Sequence, residues 1–127
     1  MSRPRDGAAL RIALVDDEES VRKAMARLLR SARLVVETFA SGSSFLAAAR
    51  TATFDCLVLD LHMPEMNGFE LHERMLRENI RLPVVVITGH DTPENRARVR
   101  AAGVAACLAK PVEAQQLLDA IEAAIAR

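Results

Sequence analysis

The chain has 127 residues, of which half are hydrophobic and 27% are charged, a composition that fits one globular domain and argues against disorder. Its 17 Lys and Arg residues equal its 17 Asp and Glu residues, so net charge gives no general attraction to nucleic acid or to a membrane surface. The two cysteines, Cys56 and Cys107, are too few for a disulfide framework or a zinc site and are expected to be reduced core residues.

The first part of the chain predicts two strand–helix units. Ala9–Val15 is apolar and predicts a strand, and Ser20–Ala32 has apolar residues at helical spacing. Leu34–Phe39 predicts a second strand that a polar turn closes, and Phe45–Arg50 predicts a short Ala-rich helix after a Ser cap. The polar face of the first helix carries four cations: Arg22, Lys23, Arg27 and Arg30.

The rest of the chain predicts three further strands and helices. Cys56–Asp60 is too short for a helix and predicts a strand buried on both faces, followed by a helix over Gly68–Glu78. Pro83–Thr88 is β-branched and predicts the fourth strand. A helix over Thr92–Ala102 follows, with Thr at the cap and Pro at the first helical position. The last strand and helix are expected at Val104–Ala109 and Val112–Ala126.

This alternation predicts an α/β fold, a doubly wound five-stranded parallel sheet with five helices on its two faces. We expect a flexible leader over residues 1–8 and a single domain over residues 9–127. No apolar run approaches the length of a membrane span, and the start lacks the apolar segment of a secretory signal. A cytoplasmic protein that contacts no membrane is therefore expected.

Polar side chains follow four of the predicted strands: Asp16 and Asp17, Asp60, Thr88 and Lys110. Because the carboxyl ends of parallel strands open on one edge of such a sheet, we expect these groups to meet. Three carboxylates in one crevice repel each other, and Mg²⁺ resolves this because it prefers oxygen ligands. With an ammonium and a hydroxyl added, the set is suited to stabilising charge on a phosphoryl group at Asp60.

Each of these residues also has a structural explanation when it is taken alone. Asp16 and Asp17 would favour the positive end of the following helix. Asp60 would cap a strand end, Thr88 is a good strand former, and Lys110 would be a solvated surface residue. Their joint occurrence at four strand ends favours the functional interpretation.

The segments that carry these groups resemble the response-regulator receiver family of two-component signalling: Asp16-Asp17, V-L-D-L-H-M-P-E-M-N-G at 58–68, I-T-G-H at 87–90 and Lys110-Pro111. They occur in the family's order and spacing across the chain after the leader. The I-T-G-H variant is most similar to receivers of transcription-factor regulators. The resemblance implies the strand order 2-1-3-4-5.

The resemblance also implies a role for each polar residue. Asp60 would accept a phosphoryl group from a histidine kinase or a histidine phosphotransfer protein, in a reaction that needs Mg²⁺. Asp17 would bind the metal directly, Asp16 largely through water, and His62 through its backbone carbonyl. The domain would catalyse its own phosphorylation and dephosphorylation as a signalling switch, without being a turnover enzyme.

The resemblance further implies how the other residues of the site respond to the phosphoryl group. Lys110 would pair with Asp60 and then with the phosphoryl group, Thr88 would move toward that group, and Lys110-Pro111 would be a cis peptide. His62 and His90 flank the expected crevice and would tune the lifetime of the phosphoryl group.

Partners are expected at the surface of the fourth and fifth helices, where a downstream protein or an output domain missing from this chain would read the switch. The fourth helix has a thin apolar stripe and carries Arg96, Arg98 and Arg100, which are otherwise a solvated face. A stand-alone receiver and an excised piece of a longer regulator both stay open, with the former favoured, and we expect no nucleic-acid contact by this domain.

One position departs from the family pattern. Receivers usually carry Tyr or Phe three residues before the lysine, and this chain has Cys107 there. A thiol lacks the bulk of an aromatic ring, so we expect the phosphorylation chemistry to remain and the aromatic part of the relay to differ.

Two alternative functions stay open at this point. A haloacid-dehalogenase-like phosphohydrolase would also place Asp60 after an apolar strand, but it needs a second acid two residues later, where this chain has His62. It usually needs a cap domain as well. A pseudo-receiver would keep the fold as a binding module without the chemistry, but such proteins lose an acid or the lysine, and this chain has them all.

Overall fold

A computed structural model describes residues 9–126, so the expected leader at 1–8 and the last residue lie outside the described part of the chain. The five strands are β1 Arg11–Val15, β2 Val35–Phe39, β3 Cys56–Asp60, β4 Val84–Thr88 and β5 Ala106–Ala109. The five helices are α1 Glu19–Ser31, α2 Gly42–Ala49, α3 Gly68–Arg77, α4 Pro93–Ala102 and α5 Ala114–Ala126.

The strands form one parallel sheet in the order β2-β1-β3-β4-β5, which confirms the predicted architecture and strand order. Side chains alternate between the two faces of each strand. In β1, Ile12 and Leu14 pack with α1 and α5, while Ala13 and Val15 pack with α2, α3 and α4. The two cores thus place helices on both faces of the sheet, as the alternating pattern predicts.

Helices α2 and α4 begin at side-chain caps, and two predicted starts need correction, since α5 begins at Ala114 instead of Val112 and α2 also begins elsewhere. Helix α2 begins at Gly42, not at Phe45, because Ser41 is its N-cap and accepts a hydrogen bond from the backbone N–H of Ser44 at 3.2 Å. The polar segment predicted as a turn is therefore the first turn of the helix. In α4, Thr92 is the N-cap as expected, and Gly103 ends the helix in the left-handed region, at φ 78°.

The central strands β3 and β4 position the site. All five residues of each strand are buried, which includes the polar residues Asp60 and Thr88 at their carboxyl ends. Since Asp60 pairs in register with Ile87, Thr88 lies one residue beyond it at the neighbouring strand end. The apolar sequences of these strands thus fix two polar groups at the middle of one edge of the sheet.

Candidate phosphoryl-acceptor site

Asp60 lies at the carboxyl end of β3 with only 3% of its surface exposed. Its Oδ1 accepts a hydrogen bond from the backbone N–H of His62 at 3.3 Å, so the chain turns closely around this carboxylate. Burial raises the pKa of Asp60 to about 6, and the charges of Asp16 and Asp17 act in the same direction. The ammonium of Lys110 and the His62 N–H oppose this shift. Folding therefore disfavours the ionised form of Asp60 relative to the protonated form.

Asp16 and Asp17 follow β1 directly and differ in burial: Asp16 is fully buried, whereas Asp17 is exposed. Asp16 Oδ1 accepts from the backbone N–H of Glu18 at 2.9 Å. Asp16 Oδ2 is a buried oxygen without a hydrogen bond, although the ammonium of Lys110 lies near it. Lys110 already gives this buried oxygen one cationic contact, and its lack of a hydrogen bond leaves it able to contact a further cation.

The three carboxylates fit a hard divalent cation. One carboxylate oxygen from each of Asp16, Asp17 and Asp60 lies within 4.8 Å of the others. Carboxylate oxygens are ligands that Mg²⁺ prefers, and Asp16 Oδ2 is free to accept a further contact. This structure therefore brings together the acids that the sequence predicted would meet. The predicted contribution of the His62 backbone carbonyl stays a prediction.

Lys110 lies between two of the acids. Its Nζ is 3.1 Å from Asp16 Oδ2 and 3.5 Å from Asp60 Oδ1. Burial lowers the pKa of Lys110, but the two carboxylates outweigh burial and the net shift is upward. The backbone N–H of Lys110 donates to the Thr88 carbonyl at 2.7 Å, and the Lys110-Pro111 peptide is cis, as the resemblance implied. The Lys110 ammonium thus supplies the positive charge that the sequence predicted in addition to that of Mg²⁺.

Thr88 is buried at the end of β4, and its Oγ1 accepts from the backbone N–H of His90 at 2.9 Å. Its hydroxyl proton is therefore available for donation. In the described part of the chain, this hydroxyl makes no direct hydrogen bond to Asp60. Thr88 thus lies at the strand end next to that of Asp60.

Three further contacts at the site were not predicted from the sequence. The His62 and His90 rings, expected separately at the crevice, touch each other edge to face with centroids 4.3 Å apart. Asn95 supports this pair by donating to the His90 carbonyl at 2.8 Å. Arg22 Nη1 donates to the Asp16 carbonyl at 2.8 Å and so ties α1 to the acidic loop. The sequence signal for Arg22 was only its place in a basic helix face.

Cys107 is half-buried in β5 and lies away from the three carboxylates. Burial raises the pKa of its thiol above the ordinary value. A cleft of about 190 Å³ adjoins it, with Arg96, Val99, Arg100 and Val104 among its lining residues. The space beside this small side chain is therefore open to the face of α4.

The response regulator receiver domain, as a sequence family, matches residues 12–122 of the chain, which is most of its length. The chain belongs to this receiver family. The match includes all the acids, the threonine and the lysine of the site, and it supports the receiver interpretation over the two alternatives.

Two relatives show the same family. This receiver is 35% identical over 126 residues to the transcriptional regulatory protein TdiR of Thauera aromatica, covering 99% of this chain and 56% of that protein. It is 37% identical over 113 residues to the transcriptional regulatory protein FixJ of Rhizobium meliloti, covering 89% of this chain and 55% of that protein. The receiver thus spans about half the length of these curated relatives.

Solved structures agree with the fold. The crystal structure of FixJ-N matches this receiver with a TM-score of 0.87 at 35% identity, covering 94% of this chain and 96% of that one. The response regulator StyR matches with a TM-score of 0.84 at 44% identity, covering 94% and 60% respectively. In the described part of the receiver, no helix is long and apolar enough to cross a membrane.

Proposed function

We propose that this receiver accepts a phosphoryl group on Asp60 from a phosphohistidine of a histidine kinase or a histidine phosphotransfer protein. The observation that carries the proposal is the placement of Lys110 Nζ 3.1 Å from Asp16 Oδ2 and 3.5 Å from Asp60 Oδ1. Together with three carboxylates within 4.8 Å, this forms a compact set of charges around one acceptor oxygen pair. Such a set is suited to stabilising a transferring phosphoryl group.

In the transfer, a carboxylate oxygen of Asp60 forms a bond to phosphorus as the phosphorus–nitrogen bond of the donor breaks. The leaving imidazole keeps the electron pair of that bond and takes up a proton from solvent. Asp60 must be ionised to act as the nucleophile, and Lys110 favours this form because its charge opposes the effect of burial. The same ammonium is placed to pair with the new phosphoryl oxygens.

We propose that Asp17 holds Mg²⁺ directly and Asp16 largely through water, with Asp60 and the His62 carbonyl as further ligands. The buried Asp16 Oδ2, which has an ion pair with Lys110 but no hydrogen bond, supports a metal ion beside these acids. When bound, the ion supplies positive charge that neutralises the phosphoryl oxygens. Thr88 donates its hydroxyl toward the same oxygens, because its Oγ1 accepts only the His90 N–H among the described residues.

The partners follow from the family. The matches cover only 56% and 55% of the relatives described as transcriptional regulatory proteins, so we propose that an output domain or a separate target reads the phosphorylation state of this receiver. The surface of α4 and α5 is the proposed reading surface, supported by the open cleft between α4 and Cys107. We also propose a cytoplasmic location, where such regulators meet their kinases.

The test uses acetyl phosphate as a small phosphodonor, with intact mass as the readout. We expect a gain of one phosphoryl group that requires Mg²⁺ and is absent in Asp60→Asn. Asp119→Asn, which changes an exposed acid of α5, is the matched control and is expected to behave as the unchanged protein. No mass gain would identify a pseudo-receiver, and sustained phosphate release from small phosphoesters would identify a phosphohydrolase.

A further inference from the structure

The face of α1 that lies toward β2 forms a groove of about 500 Å³. Its lining residues are Arg22, Lys23, Ala26, Arg27, Arg30 and Thr38. Four of these six residues are cationic and none is acidic. The groove is thus strongly positive on a chain whose net charge is zero.

Among the described residues, none of the three arginines of this groove forms a salt bridge with a carboxylate, although Glu19 interacts electrostatically with Arg22. Arg22 donates to the Asp16 carbonyl at 2.8 Å, and Arg30 donates to the Val36 carbonyl at 2.9 Å, so both guanidinium groups are held by uncharged acceptors. Arg27 is exposed and makes no side-chain hydrogen bond or ion pair with a described residue. From residue 22 to residue 30, an α-helix rises by about 12 Å. Three like charges over this length favour an anionic ligand of matching length.

The groove adjoins a free edge of the sheet. Strand β2 is the outermost strand, and no other strand of the described residues pairs with its outer edge. The bonds from Val35 N–H to the Leu10 carbonyl and from Asp16 N–H to the Phe39 carbonyl show which residues face β1. Backbone direction alternates along a strand, so the N–H groups of Val36 and Thr38 point away from β1.

We propose that the α1 groove and the β2 edge together bind an extended acidic segment of a partner protein. The segment adds to the sheet through the backbone N–H groups of Val36 and Thr38, while the Val36 carbonyl keeps its hydrogen bond from Arg30, and its carboxylates reach Arg22, Arg27 and Arg30. Strand addition of this kind uses backbone hydrogen bonds for affinity and side chains for specificity. Alternate residues of an extended segment point to the same side about 6–7 Å apart, so its acids can follow the row of arginines.

A protein segment fits this surface better than a nucleic acid does. No aromatic side chain lines the groove to stack on a base. Lys23 of the groove is also paired with Glu19 at 3.0 Å, so the positive charge left for a ligand is the short row of three arginines.

The test titrates the full chain with a synthetic peptide of alternating Glu and Val at low ionic strength. We expect binding that slows amide hydrogen exchange at Val36 and Thr38. Arg27→Glu is expected to weaken binding by on the order of tenfold or more, as for the loss of one charge-assisted contact. Arg77→Glu, an exposed arginine on α3, is the matched control and is expected to leave binding unchanged.

Three further probes separate the outcomes. A peptide of alternating Lys and Val should not bind, and one of alternating Glu and Pro should bind more weakly because it has fewer backbone N–H groups for pairing. Equal binding of inorganic polyphosphate or short duplex DNA, without protection of Val36 and Thr38, would overturn the proposal in favour of a general anion surface. Absence of peptide binding, or binding that Arg27→Glu leaves unchanged, would also overturn it. Asp60→Asn is expected to bind the peptide normally.

Discussion

The ammonium of Lys110 lies closer to Asp16 than to the acceptor Asp60, at 3.1 Å from Asp16 Oδ2 and 3.5 Å from Asp60 Oδ1. Asp16 Oδ2 is also the buried oxygen that lacks a hydrogen bond. Lys110 therefore compensates the acid that we assign to the metal as well as the acid that we assign to phosphorylation. A cation bound between the carboxylates would take over part of this role, so Lys110 and Mg²⁺ compete electrostatically for the same acids.

This competition predicts the effect of Lys110→Met. Removing the ammonium takes a positive charge away from the metal site, so Mg²⁺ should bind several-fold more tightly. Phosphoryl uptake by Asp60 should nevertheless become slower, because the charge that stabilises the transferring group is lost. Calorimetric Mg²⁺ titration and intact mass after acetyl phosphate measure the two effects. Weaker Mg²⁺ binding in the variant would contradict the competition.

The raised pKa of Asp60 predicts a gain of stability in Asp60→Asn without metal. The pKa of about 6 exceeds the ordinary value of 3.8 by about two units, each worth ~1.4 kcal/mol, so the gain above pH 7 should be at most ~3 kcal/mol. The folded protein binds the proton more tightly than the unfolded chain. The cost of ionised Asp60 is therefore fully present above about pH 6 and disappears as pH falls toward 3.8.

Urea unfolding of both proteins across this pH range, with chelator present, measures the difference in the free energy of unfolding. We expect the difference to shrink steadily as the solution becomes more acidic. Asp119→Asn, at an exposed position of α5, serves again as the control. A difference that grows on acidification would have the wrong sign for a carboxyl whose pKa is raised by folding.

The loop after Asp60 predicts a strong effect of Gly68→Ala. A Cβ at Gly68 would lie 2.9 Å from Leu61 Cα and 3.0 Å from the Asp60 carbonyl, both backbone atoms that cannot move without shifting the site. We expect a loss of about 1–3 kcal/mol in the free energy of unfolding. Gly89→Ala is the matched control, because a Cβ there meets nothing within 4 Å. Equal stability of the two variants in thermal unfolding would show that the α3 start tolerates the contact.

The position of Cys107 predicts that a substitution there changes the relay of the signal to α4 without changing the phosphorylation chemistry. Cys107→Tyr places a ring in or beside the cleft of about 190 Å³ that adjoins α4, without touching the carboxylates of the site. Phosphorylation of Asp60 should be unchanged, while the surface of α4 and its affinity for a partner should change. Intact mass measures the first effect, and backbone NMR shifts of α4 on phosphorylation measure the second. An equal loss of both would refute the separation.

The order of strands and helices could be predicted because burial and helix capping depend on short stretches of sequence. The uninterrupted apolar run of β4 and the Thr92-Pro93 start of α4 appear in the structure as predicted. The start of α2 was wrong by three residues, since Ser41 serves equally well as a turn residue or as an N-cap. Only the backbone conformation around Ser41 decides between the two.

The sequence by itself determined which polar groups follow the strands of a parallel sheet, because apolar strand patterns and their polar ends are local features. These groups are Asp16, Asp17, Asp60, Thr88 and Lys110. The sequence did not determine which oxygen Lys110 approaches, that His62 touches His90, or that Arg30 reaches the Val36 carbonyl. These contacts join residues on separate elements, and only the packed arrangement sets their distances. Asp16 Oδ2 likewise lacks a hydrogen bond because Asp16 is completely buried, and this burial depends on the packing of the whole sheet.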